Sequence, residues 1–188
     1  MDGLLIDSEP LWKEAADELL STYGFQLNKQ QYALTTGLRT KEFLEFWFTL
    51  FNIPLSEINT AEDRIVNEVI QLVKRKGKVM SGVSYIFNFF NQLNFKIGLA
   101  TSSPLQLINV VVELTGIGPY LQATASASGL AYGKPHPEVY LNCAKALGVQ
   151  PMQCLCFEDS FNGMIAVKAA KMKCIVVPVF EDYKKTIW

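Results

Sequence analysis

The sequence predicts an α/β fold, in which a Rossmann-like core built on a parallel sheet carries a small all-helical cap. Between residues 10 and 77 the apolar residues recur at helical spacing, and no segment has the pattern of a strand. After Gly77, short apolar runs typical of buried strands alternate with helical segments, an order that indicates βαβ units. We therefore expect a core formed by residues 1–9 and 78–188 and a cap formed by residues 10–77.

Three helices are predicted in the cap. The first is EPLWKEAADELLSTYG, which has Pro10 in its first turn, Gly24 at its end and an apolar stripe at i, i+4 spacing. The second is TKEFLEFWFTLFN, which is unusually aromatic. The third is TAEDRIVNEVIQLVKRK, with Thr60 as the predicted N-cap and Asp63 at the capping-box position.

The core elements follow in alternation. Helices are predicted at GVSYIFNFFNQL, PLQLINVVVELTG, the second half of GKPHPEVYLNCAKALG, and FNGMIAVKAAKM. Strands are predicted at FKIGLATSS, LQATASAS, CLCFEDS and CIVVPVF. Because their apolar runs are almost continuous, we expect these strands to be covered on both faces of a parallel sheet.

The composition argues against several classes of partner. The 188 residues carry a formal net charge of −1, without a basic patch interleaved with aromatic residues, so we expect no binding to nucleic acid. The apolar runs are too short to span a bilayer and no cleavable signal precedes them, which favours a cytoplasmic protein and, we expect, a monomer. Reduced core thiols are expected at Cys143, Cys154, Cys156 and Cys174.

Polar residues stand where the predicted strands end. The carboxyl ends of parallel strands meet at one edge of a sheet, so we expect these side chains to lie together. Hydroxyl donors, one lysine and three carboxylates suit a phosphoryl group, with a hard divalent ion such as Mg²⁺ neutralising its charge. The residues concerned are Asp2, Thr101, Ser102, Ser103, Lys134, Glu158 and Asp159.

Each of these residues is also compatible with a purely structural role. The pair Asp159-Ser160 is typical of a helix N-cap, and a lysine in a Gly-Lys-Pro turn is usually solvated. The order of the four features, rather than any one residue, therefore carries the hypothesis. Acyl transfer has little support, because His136 is the only histidine and no G-x-S-x-G motif is present.

The order of the motifs resembles that of the haloacid dehalogenase superfamily of phosphotransferases. The segments MDGLLIDSEP, LATSS, GKPHPE and FEDSFNGMIAV stand where its four motifs fall, and the resemblance covers nearly the whole chain. The helical insert is similar to the cap of the β-phosphoglucomutase-like subfamily. DSEPLW, TTGLR and GKPHPE most resemble its bacterial sugar-phosphate and hexitol-phosphate phosphatases. The resemblance implies a Mg²⁺-dependent phosphatase that acts on a small phosphorylated sugar or sugar alcohol through an aspartyl-phosphate.

The resemblance also implies catalytic roles for four residues. Asp2 matches the general acid and base, which protonates the leaving alcohol and then activates water. Thr101 and Ser102 match the groups that bind the transferring phosphoryl. Lys134 matches the lysine that balances charge on the nucleophile and the phosphate.

Further roles concern the metal and the substrate. Glu158 and Asp159 match the acidic residues that bind Mg²⁺, and the backbone carbonyl of Asp2 matches a third ligand. From the cap, Arg39 and Glu9 match positions that shape the substrate site. A cap that closes over the site would exclude water from the charged reaction.

The nucleophile implied by the resemblance is the first aspartate of the D-x-D-G motif, which falls immediately before Met1. The strand before it, central in this fold, would also be missing, leaving a gap of about 10 Å between its neighbours. We therefore expect an N-terminally truncated form of a catalytic parent. Two alternatives stay open: a phosphomutase that uses the same site, and a non-catalytic phosphosugar-binding or interaction module.

Overall fold

The computed structural model describes residues 1–35 and 37–177, so the end of the predicted strand CIVVPVF lies outside the described residues. Most of the predicted elements are present, in the predicted order. The helices are α1 (Glu9–Ser21), α2 (Lys29–Thr35), α3 (Thr40–Leu50), α4 (Ile58–Lys76), α5 (Val83–Gln92), α6 (Leu105–Thr115), α7 (Glu138–Leu147) and α8 (Phe161–Ala169). The strands are β1 (Ile97–Thr101), β2 (Leu121–Ser126), β3 (Leu155–Glu158) and β4 (Lys173–Val176).

The start of helix α4 differs from the prediction. A 3-10 turn at Leu55–Glu57 leads directly into this helix, so Glu57 takes the N-cap position. Thr60 therefore lies inside the first turn, and the predicted roles of Thr60 as N-cap and Asp63 as its capping-box partner are wrong. Helix α2 was not predicted, because its seven residues bury only Thr35 and carry no apolar stripe.

The four strands form two separate parallel pairs, β1 with β2 and β3 with β4. Parallel strands are usually covered on both faces. Here Leu155 and Ile175 are 42% and 43% exposed, so the expectation that all four strands are fully covered is wrong for β3 and β4.

In each pair, one edge of β1 or β3 faces away from its partner strand, and no described strand runs along that edge. In β1 the carbonyl of Thr101 accepts a hydrogen bond from the residue after β2, so Thr101 faces β2. Because backbone groups alternate in direction along a strand, those of Gly98 and Ala100 face away from β2. In the same way, the carbonyl of Glu158 accepts from the residue after β4. The backbone groups of Phe157 therefore face away from β4.

Residues 1–3 connect the carboxyl ends of β1 and β3. Asp2 accepts a hydrogen bond from Ser103, just after β1. Gly3 has φ +67° and lies so close to Asp159 that a Cβ on this glycine would overlap that carboxylate. Helices α7 and α8 contact each other and pack against the two strand pairs, and the carboxyl ends of β1 and β3 both lie near residues 1–3.

The buried apolar residues form two clusters. The larger one joins the cap helices to β1 and α6, with Trp47 and Phe48 among its fully buried side chains. The smaller one lies between α7, α8 and the strands. Because helix α4 packs against α6 as well as against α1 and α3, the core does not divide cleanly at residue 77 and the domain boundaries stay a prediction. No helix in residues 1–35 or 37–177 is both long and apolar enough to cross a bilayer.

Candidate active site

Asp2 is held by three hydrogen-bond donors at the carboxyl end of β1. Its Oδ1 accepts from the Ser8 hydroxyl at 2.6 Å and from the Trp12 indole at 2.9 Å, while its Oδ2 accepts from the Ser103 hydroxyl at 2.7 Å. Burial raises the pKa of Asp2, but the amino terminus of Met1 and the three donors outweigh it and lower the pKa below its ordinary value. The carboxylate is therefore charged at neutral pH.

The segment after β1 carries three hydroxyls with different environments. The Thr101 side chain is buried, and its Oγ1 accepts from the backbone N–H of Ser103 at 3.2 Å. The Oγ of Ser102 is buried and has no hydrogen-bond partner among the described residues. An unpaired buried hydroxyl is unfavourable, so the Ser102 hydroxyl can form a hydrogen bond with a group that enters the site.

Lys134 and Glu158 form a buried ion pair. The Lys134 Nζ lies 2.5 Å from Glu158 Oε1, and the two side chains are only 8% and 4% exposed. The hydroxyl of Tyr140 also donates to Glu158 Oε1, and Ser160 donates to Oε2. Burial raises the pKa of Glu158, but the charge of Lys134 and these donors lower it to about 2. The Glu158 carboxylate is therefore charged at neutral pH.

Asp159 has a different environment from its neighbour. Burial, with the charge of Glu158 as a further cause, raises the pKa of Asp159 to about 6 although Met1 and Lys134 oppose the change. The next residue, Ser160, is the N-cap of α8 and accepts from the backbone N–H of Gly163 at 3.1 Å. Ser160 thus takes the capping role that its sequence position suggested, and Asp159 is left beside Gly3.

Two residues at the start of α3 cross from the cap to the core. The guanidinium of Arg39 donates to the backbone carbonyls of Ala127 and Leu130 at 3.2 Å and 2.6 Å. Glu42 accepts from Arg39 and from the backbone N–H of Gly133, at 2.7 Å and 3.2 Å. Arg39 was predicted to face the substrate; in the structure it binds the loop that precedes Lys134.

The structure brings together only part of the predicted metal set. The carboxylate of Asp2 faces Ser8 and Ser103, and that of Glu158 faces Lys134. Within residues 1–35 and 37–177, no group of three histidine, cysteine or acidic side chains is arranged to hold a metal ion. Glu158 and Asp159 as ligands of Mg²⁺ therefore stay a prediction, and the ion pair with Lys134 occupies one carboxylate oxygen of Glu158.

The remaining predictions concern exposed or newly found residues. Glu9 begins α1 and its side chain is exposed, and His136 lies exposed in the turn before α7. The four cysteines are unpaired, as predicted, although only Cys143 is fully buried.

Sequence reasoning did not foresee the roles of Ser8, Tyr140 and Glu42. The serine in DSEP was the one available signal for Ser8, since it stands within the first motif.

Comparison with known proteins adds an independent finding. The haloacid dehalogenase-like hydrolase model matches residues 1–171, which is most of the chain. The chain belongs to this family. The predicted α/β core with a helical cap and the predicted enzyme class, a phosphoric monoester hydrolase of the haloacid dehalogenase type, are both confirmed.

Individual members of the family cover nearly all of the chain. Hexitol phosphatase B of Escherichia coli K12 is 39% identical over 184 residues, which are 96% of this chain and 82% of that enzyme. Fructose-1-phosphate phosphatase YqaB of the same organism is 27% identical over 177 residues, covering 94% and 93% of the two chains. The crystal structure of β-phosphoglucomutase from Clostridium difficile is 26% identical and superposes with a TM-score of 0.86 over 98% of this chain and 84% of that one.

Proposed function

We propose that this haloacid dehalogenase-like hydrolase is a Mg²⁺-dependent phosphatase for a small sugar phosphate or sugar-alcohol phosphate. One observation carries the proposal. Asp2 is hydrogen-bonded to Ser103 in the segment after β1, which also carries the Ser102 hydroxyl that has no partner among the described residues. Lys134, in the loop after β2, pairs with Glu158 at the end of β3. Such donors and cations favour the negative charge of a transferring phosphoryl group. The names of the relatives support phosphorylated sugars and sugar alcohols as the substrate class.

Asp2 is best suited to act as a base. Its three hydrogen bonds favour the charged form, so it is ready to take a proton from the water that hydrolyses the phosphoryl intermediate. Donation of a proton to the leaving alcohol requires the protonated form of Asp2. We propose that substrate entry displaces at least one donor, with Ser103 the candidate because its segment also carries the phosphoryl-binding hydroxyls.

Lys134 and the segment after β1 bind the phosphoryl group in this proposal. The Lys134 ammonium has three donors, and Glu158 takes one of them, which leaves the others for phosphate oxygens. Ser102 offers a buried hydroxyl without a partner among the described residues. Glu158 then acts by holding the lysine in place.

The chemistry of Asp159 fits Mg²⁺. This ion takes one or two protein carboxylates and completes its shell with water and substrate phosphate. The pKa of Asp159 is raised to about 6 by burial, so a nearby cation would stabilise its charged form. When bound there, Mg²⁺ supplies positive charge to the phosphoryl oxygens. The attacking aspartate is the one implied by the resemblance described above. We also propose a cytoplasmic monomer.

Phosphate release by the native protein, purified from its source cells, tests this function. We expect orthophosphate from hexitol phosphates or sugar phosphates with Mg²⁺, and none after chelation by EDTA. The intact mass, measured on the same sample, establishes whether an aspartate precedes Met1. A test variant replaces Asp159 by Asn, which keeps the shape of the side chain but removes its charge. This variant should release no orthophosphate in the presence of Mg²⁺.

Two other outcomes would contradict the proposal. Isomerised sugar phosphate without free orthophosphate would identify a phosphomutase, the class of the β-phosphoglucomutase that superposes on this chain. Binding of a phosphosugar without any turnover, in a protein whose mass equals that of the 188 residues, would identify a non-catalytic binding module.

A further inference from the structure

Glu42 is a cap residue with no role in the chemistry above, yet it uses both carboxylate oxygens. Its Oε2 accepts from the backbone N–H of Arg39 at 3.0 Å, which is the ordinary capping-box contact at the start of a helix. Its Oε1 instead accepts from the Arg39 guanidinium and from the backbone N–H of Gly133. A capping contact needs only the bond to Oε2, so Oε1 is available for the contact with Gly133 in the core.

Arg39 extends the same contact along the core. It donates to the carbonyls of Ala127 and Leu130, so Arg39 and Glu42 together grip both ends of the segment 127–133. We call this pair of side chains the clasp. Arg39 is 12% exposed and Glu42 25% exposed, so water competes weakly for these hydrogen bonds.

Gly133 permits the close approach of this segment to the clasp. A Cβ at this position would lie 2.7 Å from the Arg39 Nε and 2.7 Å from the Glu42 Oε2, which is too close for any side chain. The residue that follows is Lys134, whose ammonium is fixed by Glu158 at its far end. The backbone of Lys134 is thus held from the cap while its side chain is held from β3.

The clasp also borders an open cleft between cap and core. This cleft has a volume of about 580 Å³, and both Glu42 and Lys134 line it. A small ligand that enters it would meet a lysine whose loop is tied to the cap.

We propose that Glu42 is a positioning residue, which fixes the site of the Lys134 ammonium by binding the backbone of Gly133 and orienting Arg39. The proposal rests on the proposed function only in that Lys134 is taken to bind the phosphoryl group. The hydrogen bonds of Glu42 couple the cap to the core whether or not the substrate class is correct.

Two NMR measurements on the ¹⁵N-labelled 188-residue chain test the proposal. The variant Glu42→Gln removes the negative charge and replaces one of the two oxygens by an NH₂ group, so it cannot accept from the backbone N–H of Arg39 and also from the Arg39 guanidinium and Gly133. We expect the amide of Gly133 to exchange its hydrogen about tenfold faster, because its hydrogen bond is no longer made to a charged carboxylate. We also expect the ammonium signal of Lys134 to shift or broaden. The matched control is Glu45→Gln, an exposed glutamate one turn further along α3.

A second variant approaches the same contact from the core. Gly133→Ala inserts a methyl group between the loop and the clasp and should reproduce both changes, whereas Gly129→Ala, with nothing within 4 Å of its added Cβ, should produce neither. If Glu42→Gln fails to fold, Gly133→Ala still decides the question.

The outcomes separate the proposal from its alternatives. Faster exchange at Gly133 with an unchanged Lys134 signal would mean that the clasp only joins cap to core, and would overturn the positioning role. Unchanged exchange would overturn the clasp itself. Failure of the proposed function would appear elsewhere, as absent phosphate release by the native protein with both NMR changes intact.

Discussion

Replacement of Lys134 by methionine tests how much the buried ion pair contributes to stability. The variant removes the ammonium, keeps an unbranched side chain of similar length, and leaves the Glu158 carboxylate 4% exposed without its cation. The pKa of Glu158 lies near 2 instead of its ordinary 4.5, chiefly because Lys134 outweighs the opposing effect of burial. At about 1.36 kcal/mol per pKa unit, this difference corresponds to about 3 kcal/mol. Loss of one partner of a buried pair typically costs about 3–5 kcal/mol, which agrees.

Urea denaturation at pH 7, followed by far-ultraviolet circular dichroism, measures this loss. We expect the free energy of unfolding of Lys134→Met to fall by about 3 kcal/mol. Lys145→Met, which removes an exposed lysine from α7, should change it by less than about 0.5 kcal/mol. The double variant Lys134→Met/Glu158→Gln should recover much of the deficit, because no uncompensated charge then remains buried.

The pH dependence of the deficit has a defined sign. In the parent chain the pKa of Glu158 is lowered, so its stabilising contribution is complete above about pH 4.5 and is lost as the pH falls towards 2. In Lys134→Met burial acts without the opposing lysine and raises this pKa, so the variant regains stability by taking up a proton as the pH falls from 7 to 5. A loss below about 1 kcal/mol at pH 7, or a deficit that stays constant over this range, would refute the reasoning.

Three further predictions concern α8 and β3. Ser160→Ala removes the side-chain cap of α8 and should lower the free energy of unfolding by about 1 kcal/mol, measured by urea denaturation. Gly163→Ala should lower it by at least about 2 kcal/mol, because the added Cβ would overlap a buried carboxylate. Its control, Gly129→Ala, has free space around the added atom and should change the melting temperature little. In hydrogen exchange, the amide of Leu155, which faces away from β4, should exchange much faster than that of Cys156, which is paired with β4.

The sequence was most informative where a single local signal determines the structure. Pro10 and Gly24 bracket α1 as expected, and all four strands lie where the apolar runs predicted them. Thr60 is not the N-cap because a 3-10 turn at Leu55–Glu57 precedes α4. The N-cap propensity of a single residue does not indicate such a turn. The motif order predicted the family correctly, since four separated patterns must all agree.

The site was predicted as a set of residues but not as a set of contacts. Asp2 and Lys134 lie at the expected edge of the strands, but the hydrogen bond from Ser103 to Asp2 was not predicted. The ion pair of Glu158 with Lys134, across 24 positions of the chain, was likewise not predicted. Such pairings depend on the relative placement of β3 and the loop before α7, which no local pattern encodes.

The edges of β1 and β3 that face away from their partner strands carry backbone N–H and C=O groups with which any extended chain can pair. Pairing of this kind uses backbone N–H and C=O groups, so it tolerates almost any sequence unless the edge carries a proline or a charged side chain. Leu155, 42% exposed beside such an edge, would add apolar attraction. The colloidal behaviour of the 188-residue chain should therefore depend on its main chain more than on its net charge of −1. A proline in the open edge of β3, or a lysine at the same place, should keep concentrated solutions clear.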